Sequence, residues 1–408
     1  MKLKEKNLYQ EKGGKTLNNL AVINQKKTSN LTRLIAVSIG HFINDFYMNL
    51  IPPILFLFAN SLSLSLTQQG FIAFVITSSG TFAQPIIGSF VDKYGRTYLL
   101  IISILWIGIW MSLTGIVTNY YLFLLIVFMG ALASSLYHPL GSATAIMLGN
   151  KSRGKSISIF MTIGGFAASV TPLITIPIVK NYGTDKLIYF MIVAFVTAGL
   201  MYILQVHKIE ITTKVKKTKD SEEKANHFSL KWISVIVFIA TNKFFIVRTF
   251  LTFGIQILVL KNVDIKIAGI ILSSYLFMNA AGTITGGFLN DKFGSKKVIQ
   301  ISNALALIII LMIIFGSGMI SMIAFIFLGF TFSCTNAANI VFTHDLMPDK
   351  KNTGTGLIMG LSGGIGGLGI FVFGKLADHL GLISATPFVL IPVVMVNILL
   401  LFIPKKVA

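Results

Sequence analysis

Residues 88–96 read Gly-Ser-Phe-Val-Asp-Lys-Tyr-Gly-Arg, and residues 287–296 read Gly-Phe-Leu-Asn-Asp-Lys-Phe-Gly-Ser-Lys. The two stretches lie 199 residues apart, and each one follows a long apolar run. A Gly-Gly pair at 164–165 recurs at the same offset as 363–364. Two separate matches at one offset indicate a duplicated unit, and internal repeats of this length are typical of membrane transporters.

The composition is typical of an integral membrane protein. The chain has 408 residues, of which 54% are hydrophobic and 12% are charged, whereas soluble domains are about 25% charged. A membrane-spanning helix needs about 17–25 predominantly apolar residues. Twelve runs meet this need, at 34–59, 68–90, 98–117, 121–147, 156–179, 186–206, 232–259, 267–289, 297–315, 319–345, 354–375 and 382–403. The predicted fold is therefore an all-α membrane protein with twelve transmembrane helices in two pseudo-symmetric six-helix bundles.

The basic residues predict the orientation of the chain. The net charge of +20 would suggest nucleic-acid binding in a soluble protein, but here the Lys and Arg residues stand between the apolar runs. With the N-terminus inside the cell, 27 of the 34 basic residues lie in cytoplasmic segments and four lie outside. Cytoplasmic loops carry such an excess, so we expect both termini in the cytoplasm of a bacterial inner membrane. The expected domains are a basic tail (1–33), two six-helix bundles (34–206 and 232–403), a linker (207–231) and a short tail (404–408).

Other chemistries have little support in this sequence. The single cysteine, Cys334, excludes an internal disulfide framework and a cysteine-rich metal site. The sequence has no P-loop, no His-Glu-x-x-His and no Gly-x-Ser-x-Gly motif. We therefore expect no cofactor, no metal, no enzymatic activity and no ATP-driven pumping by this chain.

The first span carries polar side chains at membrane depth. His41, Asn44 and Asp45 lie within the stretch 40–47. His41 and Asp45 are four residues apart, so a helix brings them to one face. An ionisable group in the middle of a span usually faces the bundle interior or a water-filled cavity. We predict that Asp45 and His41 couple transport to protons and that Asn44 contacts substrate.

Four later spans carry further candidates for substrate binding. In span 4, Tyr137 and His138 precede Pro139, and the pair is either a hydrogen-bonded kink or a substrate contact and proton relay. In span 7, the forked guanidinium of Arg248 can bind an anionic group, neutralise Asp45 or reach the outer interface. The remaining candidates for a cavity lining are Lys243 in span 7, Asn336 in span 10 and Gln84 in span 2. At the outer end of span 11, Lys375 and Asp378 are expected to pair.

The twelve spans, the basic central linker and the paired loops resemble the major facilitator superfamily over about residues 34–403. That resemblance implies a gating role at the cytoplasmic rim for Asp92 and Arg96 and for Asp291 and Lys296, although solvated surface charges are the alternative. Three motifs are similar to the fosmidomycin-resistance group of exporters: Gly40-His41-Phe42-x-x-Asp45, Tyr137-His138-Pro139 and Arg248-Thr-Phe-x-x-Phe-Gly254.

The resemblance implies a proton-coupled antiporter that exports a small drug-like or anionic organic molecule by alternating access. A proton symporter that imports a small organic anion is the alternative, and a membrane-embedded enzyme or sensor is a remote third. The expected partners are a small-molecule substrate, protons and the lipid bilayer, with no nucleic acid. We expect the chain to act as a monomer.

Overall fold

The computed structural model describes residues 29–94, 96–149, 153–209, 230–347 and 351–402. The side chains at 60, 84–86, 88–94, 153–154, 230 and 351–353 lie outside that description. The described residues form helices joined by short turns, with no strand among them. This confirms the predicted all-α membrane fold.

The helices cross the bundle twelve times within the described residues, and we number the crossings α1–α12. In the first half they are α1 (Asn30–Met48, continued by Leu55–Leu62), α2 (Leu66–Tyr94), α3 (Tyr98–Leu113), α4 (Tyr120–Leu148), α5 (Arg153–Tyr182) and α6 (Phe190–Ile203). In the second half they are α7 (Leu230–Leu260), α8 (Ile265–Phe293), α9 (Ser295–Phe315), α10 (Gly318–Ser333 and Thr335–Leu346), α11 (Lys351–Gly356, the π-turn Leu357–Leu361 and Ser362–Leu380) and α12 (Leu390–Phe402).

Eleven of these crossings, within the described residues, are both long and apolar enough to span a bilayer. The remaining crossing, α2, has 29 residues and is therefore about 44 Å long, enough to cross. Its sequence includes Thr, Ser and Gln side chains. Part of that polar surface packs on α11, where Thr81 lies beside Gly363 and Ser78 lies beside Gly367.

Local sequence explains several helix ends and breaks. Pro52 and Pro53 interrupt α1 with a single 3-10 turn, because proline lacks the N–H that an α-helix requires. Gly294 ends α8 with a φ of 80°, a conformation that favours glycine. This explains the second glycine of the 287–296 motif. One difference from the sequence prediction is α11, which runs to Leu380 rather than ending near 375.

The two halves meet along α2 with α11 and along α5 with α8. Because the crossings alternate in direction, α1 begins and α12 ends at one face, which we call the terminal face. The other face, which carries the α1–α2 connection, is the opposite face. The close contacts of Gly70 with Ile370 and of Gly374 with Leu66 lie towards the opposite face. Gln256 of α7 also donates a 2.6 Å hydrogen bond to Gln69 of α2 there.

Asp378 joins the halves at the opposite face. Its carboxylate accepts hydrogen bonds from the backbone N–H groups of Leu66 (2.7 Å) and Thr67 (2.8 Å) and from the Thr67 hydroxyl. A carboxylate at a helix N-terminus satisfies unpaired N–H groups and complements the helix dipole. We call this group of three residues the α2–α11 latch. The expected pairing of Asp378 with Lys375 is wrong, because no ion pair joins these two described residues and the extended α11 brings Asp378 to α2 instead.

The latch predicts that Asp378→Asn favours opening of the opposite face. Hydrogen bonds to a charged group contribute about 1.5–3 kcal/mol, so losing the charge should raise the open population roughly tenfold. Spin labels at the exposed positions Ser61 and His379 would report the separation of the two halves at this face. Lys375→Gln, on the same helix but outside the latch, is the matched control. An unchanged distance distribution in Asp378→Asn would contradict the assignment.

Candidate functional site

The carboxylate of Asp45 lies between two histidines near the middle of the bundle. His41 Nε2 is 3.4 Å from Asp45 Oδ2, and His138 Nε2 is 3.3 Å from Asp45 Oδ1. His41 shares a face of α1 with Asp45, as their spacing predicts, whereas His138 comes from α4. The side chains of Asp45 and His138 are 18% and 31% exposed, but that of His41 is only 2% exposed. We call these three residues the Asp45 cluster.

The orientation of His41 is set by α5. Its Nδ1 lies 2.8 Å from the backbone carbonyl oxygen of Phe160, and its ring stacks on the Phe160 ring with centroids 4.0 Å apart. The ring also lies directly against Gly164, where an added Cβ would overlap it. Glycine at 164 therefore makes room for the histidine, and this packing gives one half of the Gly-Gly repeat a specific role.

The contact with Phe160 determines where the His41 proton lies. A carbonyl oxygen only accepts hydrogen bonds, so Nδ1 must carry a hydrogen to make this contact. In a neutral ring Nε2 then presents a lone pair to the Asp45 carboxylate, and the two acceptors repel each other. The arrangement is favourable when a cation lies between them or when either group is protonated. Nε2 is buried and has no hydrogen-bond partner of normal length, because 3.4 Å exceeds the usual range.

Two predicted substrate contacts are buried supports of the cluster in this conformation. Asn44 is fully buried and donates 3.0 Å hydrogen bonds to Asp45 Oδ1 and to the Ser134 hydroxyl. Tyr137 is also fully buried, and its hydroxyl donates to the carbonyl of Val37 at 2.7 Å. Both side chains tie α1 to α4, so they position Asp45 and His138 rather than line an accessible surface.

The second half carries a different group at the repeated positions. The offset of 199 residues maps Asn44 onto Lys243 and Tyr137 onto Asn336. Lys243 is 8% exposed and donates to Asn336 Oδ1, while Asn336 Nδ2 donates to the exposed Thr283 hydroxyl at 2.7 Å. The polar contact between α1 and α4 thus recurs between α7 and α10, with a cation in place of the amide.

Arg248 lies one to two turns further along α7 and is half-buried. Its guanidinium lies within electrostatic range of the Asp45 carboxylate. It does not form an ion pair with Asp45, and no carboxylate of the described chain lies within 4 Å of Arg248 or Lys243. Neither cation of α7 therefore has an acidic partner among the described residues, so both can attract an anion.

The other predicted residues lie away from this group or outside the described part. The side chains of Gln84 and Asp92 belong to the part that the structure does not describe. Arg96 and Asp291 are exposed, and Lys296 is half-buried. Arg96 lies on the α2–α3 connection, while Asp291 lies in the last turn of α8 and Lys296 in the first turn of α9, all at the terminal face.

Sequence reasoning did not identify the contact of Asp45 with His138 or the contact of His41 with Phe160. Both join residues about 90–120 positions apart, and periodicity along one helix cannot reveal such contacts. The available signals were weaker: a histidine beside a membrane-depth proline in α4, and the repeated Gly-Gly pair in α5.

Comparison with known proteins identifies the family of this chain. The model of the Major Facilitator Superfamily matches residues 37–261 and 257–408. The chain is 28% identical to the fosmidomycin resistance protein of Escherichia coli (strain K12) over 351 residues, which cover 84% of this chain and 86% of that protein. It is 27% identical to the sialic acid transporter NanX of Escherichia coli (strain K12) over 328 residues, covering 74% of this chain and 75% of that protein. The crystal structure of a point mutant of the nucleoside transporter NupG superposes with a TM-score of 0.75 at 15% identity, covering 91% of this chain and 98% of the other.

The packing of His41 predicts opposite results for two neighbouring glycines. Gly164→Ala places a methyl group into the His41 ring, and overpacking of this kind costs about 1–3 kcal/mol. Gly165→Ala meets nothing within 4 Å and removes a helix-interior glycine, which should stabilise by about 0.5–1 kcal/mol. Thermal unfolding in detergent should therefore show a lower midpoint for Gly164→Ala and an equal or higher one for Gly165→Ala. Equal behaviour of the two variants would contradict the packing of His41 on α5.

Proposed function

Because the chain belongs to the Major Facilitator Superfamily, we propose that it is a proton-coupled secondary transporter that exports a small anionic or drug-like organic molecule by alternating access. Its family, relatives and structural neighbours are membrane transporters of small molecules, not enzymes, so the enzyme alternative is set aside. The direction of transport, the proton and the substrate class are the proposal. The similarity to the fosmidomycin resistance protein supports export.

The proposal rests on one observation. The first half holds an acid, Asp45, between two histidines, and the second half holds two cations on α7 that have no acidic partner among the described residues. The Asp45 cluster is the proton-binding part. The charged and hydrogen-bonding groups around the carboxylate come from four helices. They are His41 and Asn44 on α1, His138 and Ser134 on α4, the Phe160 carbonyl on α5 and, within electrostatic range, Arg248 on α7. In this setting a proton on the cluster removes the repulsion between His41 Nε2 and the carboxylate.

The cations of α7 are the substrate-binding part. A buried ammonium or guanidinium without a counterion is costly in a membrane, and an anionic substrate would supply that counterion. Arg248 offers the planar donor fork that suits a carboxylate or phosphonate, while Lys243 is held by Asn336. Of the two expected substrate classes, drug-like and anionic, these cations favour an organic anion.

Coupling has an electrostatic part, because the proton and the substrate anion act on the same two charges, Asp45 and Arg248. A substrate anion beside Arg248 screens Asp45 from that cation, and a proton on Asp45 removes the charge that Arg248 attracts. Within one facing state each ligand thereby strengthens binding of the other, so antiport requires the opposite preferences of the ligands for the two facing states to exceed this effect. The ligands can exchange across the membrane only if they favour the two facing states differently.

The orientation proposed for the chain places the terminal face in the cytoplasm, since most basic residues lie at that face. The α2–α11 latch then closes the outer side. Opening outward requires Asp378 to release α2. The charges of Arg96, Asp291 and Lys296, together with Asp92, are proposed to close the cytoplasmic rim in exchange. We further propose that the protein lies in a bacterial inner membrane and acts as a monomer.

Import of an organic anion together with protons is the second candidate. The similarity to a sialic acid transporter favours it, and the cations of α7 serve either direction. Export and import differ in the sign of proton movement: an antiporter exchanges substrate for protons, whereas a symporter carries both the same way.

Replacing Asp45 should separate coupling from binding. Asp45→Asn keeps the side-chain shape and the hydrogen bond from Asn44, but it cannot carry an exchangeable proton. In proteoliposomes it should abolish pH-gradient-driven flux of fosmidomycin while substrate exchange at equal pH continues. Asp264→Asn is the matched control, because Asp264 caps α8 outside the cluster and asparagine caps helices equally well. Normal gradient-driven flux in Asp45→Asn would disprove the role of Asp45.

Replacing Arg248 should affect anions selectively. Arg248→Ala should weaken binding of a phosphonate by about 10–100-fold, since hydrogen bonds to a charged group contribute about 1.5–3 kcal/mol. Binding of the neutral diester of the same phosphonate should change by less than about threefold. Arg248→Lys, which keeps the charge but loses the fork, should fall between the two. An equal loss for the anion and the diester would show a structural role instead.

A further inference from the structure

We propose that the Asp45 cluster is also a binding site for a divalent transition-metal ion of the Zn²⁺ class. The ligands would be His41 Nε2, His138 Nε2 and one carboxylate oxygen of Asp45. This inference goes beyond the proposed function, because it concerns a ligand other than the proton or the transported molecule. It depends neither on the direction of transport nor on the substrate.

The spacing of the donor atoms fits such an ion. One ligand atom from each of the three residues lies within 4.8 Å of the others. His41 Nε2 is 3.4 Å from Asp45 Oδ2, and His138 Nε2 is 3.3 Å from the other carboxylate oxygen, Oδ1. Zn²⁺ binds at about 2.0–2.2 Å from nitrogen and oxygen in a tetrahedral arrangement, so neighbouring ligand atoms are about 3.3–3.5 Å apart. The cluster therefore needs only small side-chain movements to close around an ion.

The support around His41 is the kind that a metal ligand requires. A metal-binding histidine almost always donates its other ring N–H to a carbonyl or carboxylate, which fixes the ring and directs the lone pair at the ion. The Phe160 carbonyl performs this role for His41, and the opposite nitrogen is buried without a hydrogen-bond partner. An unpaired buried nitrogen facing a carboxylate is unfavourable without a cation or a proton between them.

The donor set selects the class of ion. Two imidazoles and a carboxylate suit Zn²⁺, Co²⁺ or Ni²⁺, whereas Mg²⁺ and Ca²⁺ prefer oxygen ligands. The partly exposed Asp45 and His138 leave a fourth position open on their side of the cluster, which water can fill. A bound ion joins α1 to α4 and occupies the place that the proposed function gives to the proton, so it should inhibit coupled transport.

Cobalt spectroscopy on the purified, tag-free protein tests the site directly. Co²⁺ in a tetrahedral site with nitrogen ligands absorbs in the visible range, and Zn²⁺ should remove this absorbance with a stoichiometry of one ion per chain. His138→Gln and Asp45→Asn should each weaken Zn²⁺ binding at least tenfold by isothermal titration. His379→Gln, at an exposed histidine on α11, should bind as the unaltered protein does. Circular dichroism and the thermal midpoint establish that each variant is folded.

The outcomes separate this proposal from the proposed function. Absence of a tetrahedral Co²⁺ spectrum, or Zn²⁺ binding that persists unchanged in both folded cluster variants, would overturn the metal site and leave proton coupling untouched. Conversely, one Zn²⁺ per chain that is lost in His138→Gln and Asp45→Asn supports the site, even if transport proves to be independent of protons.

Discussion

The hydrogen bond between His41 Nδ1 and the Phe160 carbonyl is the constraint on which the site depends. It commits one ring nitrogen to α5 and directs the other at Asp45, 3.4 Å away. The stacked Phe160 ring and the absence of a side chain at Gly164 hold the imidazole in that orientation. Since His41 is on α1 and its supports are on α5, any sliding of these helices during transport would alter how strongly the cluster holds a cation.

The two halves of the duplicated fold carry different polar residues at corresponding positions. Repeated positions on α1 and α4 carry Asn44 and Tyr137, while those on α7 and α10 carry Lys243 and Asn336. The same helix pairing therefore presents an acid with two histidines on one side and uncompensated cations on the other. In the proposed function, this asymmetry gives separate places to a proton and an organic anion within electrostatic range of each other.

Much of the fold was predictable because its determinants are local. Apolar runs of membrane length and the repeated motif predicted the twelve crossings, and the spacing of His41 and Asp45 predicted their contact on α1. The rest depends on contacts between distant segments. His138 joins the cluster from α4, and α11 continues past residue 375 until Asp378 caps α2. Asn44 and Tyr137 were expected to contact substrate because they are polar residues within spans. Both are completely buried in this structure, where they support the Asp45 cluster. A polar residue at membrane depth thus signals an interior position without distinguishing a ligand contact from a helix-to-helix hydrogen bond.

The central claim is that the Asp45 cluster exchanges a proton as the substrate anion binds. The most direct measurement is the proton release or uptake on mixing weakly buffered, detergent-purified protein with fosmidomycin, followed by a pH-indicator dye. The account predicts release of up to one proton per bound molecule, because in an antiporter the substrate selects the facing state in which Asp45 gives up its proton, and it predicts no release from the Asp45→Asn variant, which still binds. Proton uptake instead would indicate symport. Saturating binding with no proton exchanged, or the same release from Asp45→Asn, would contradict the account.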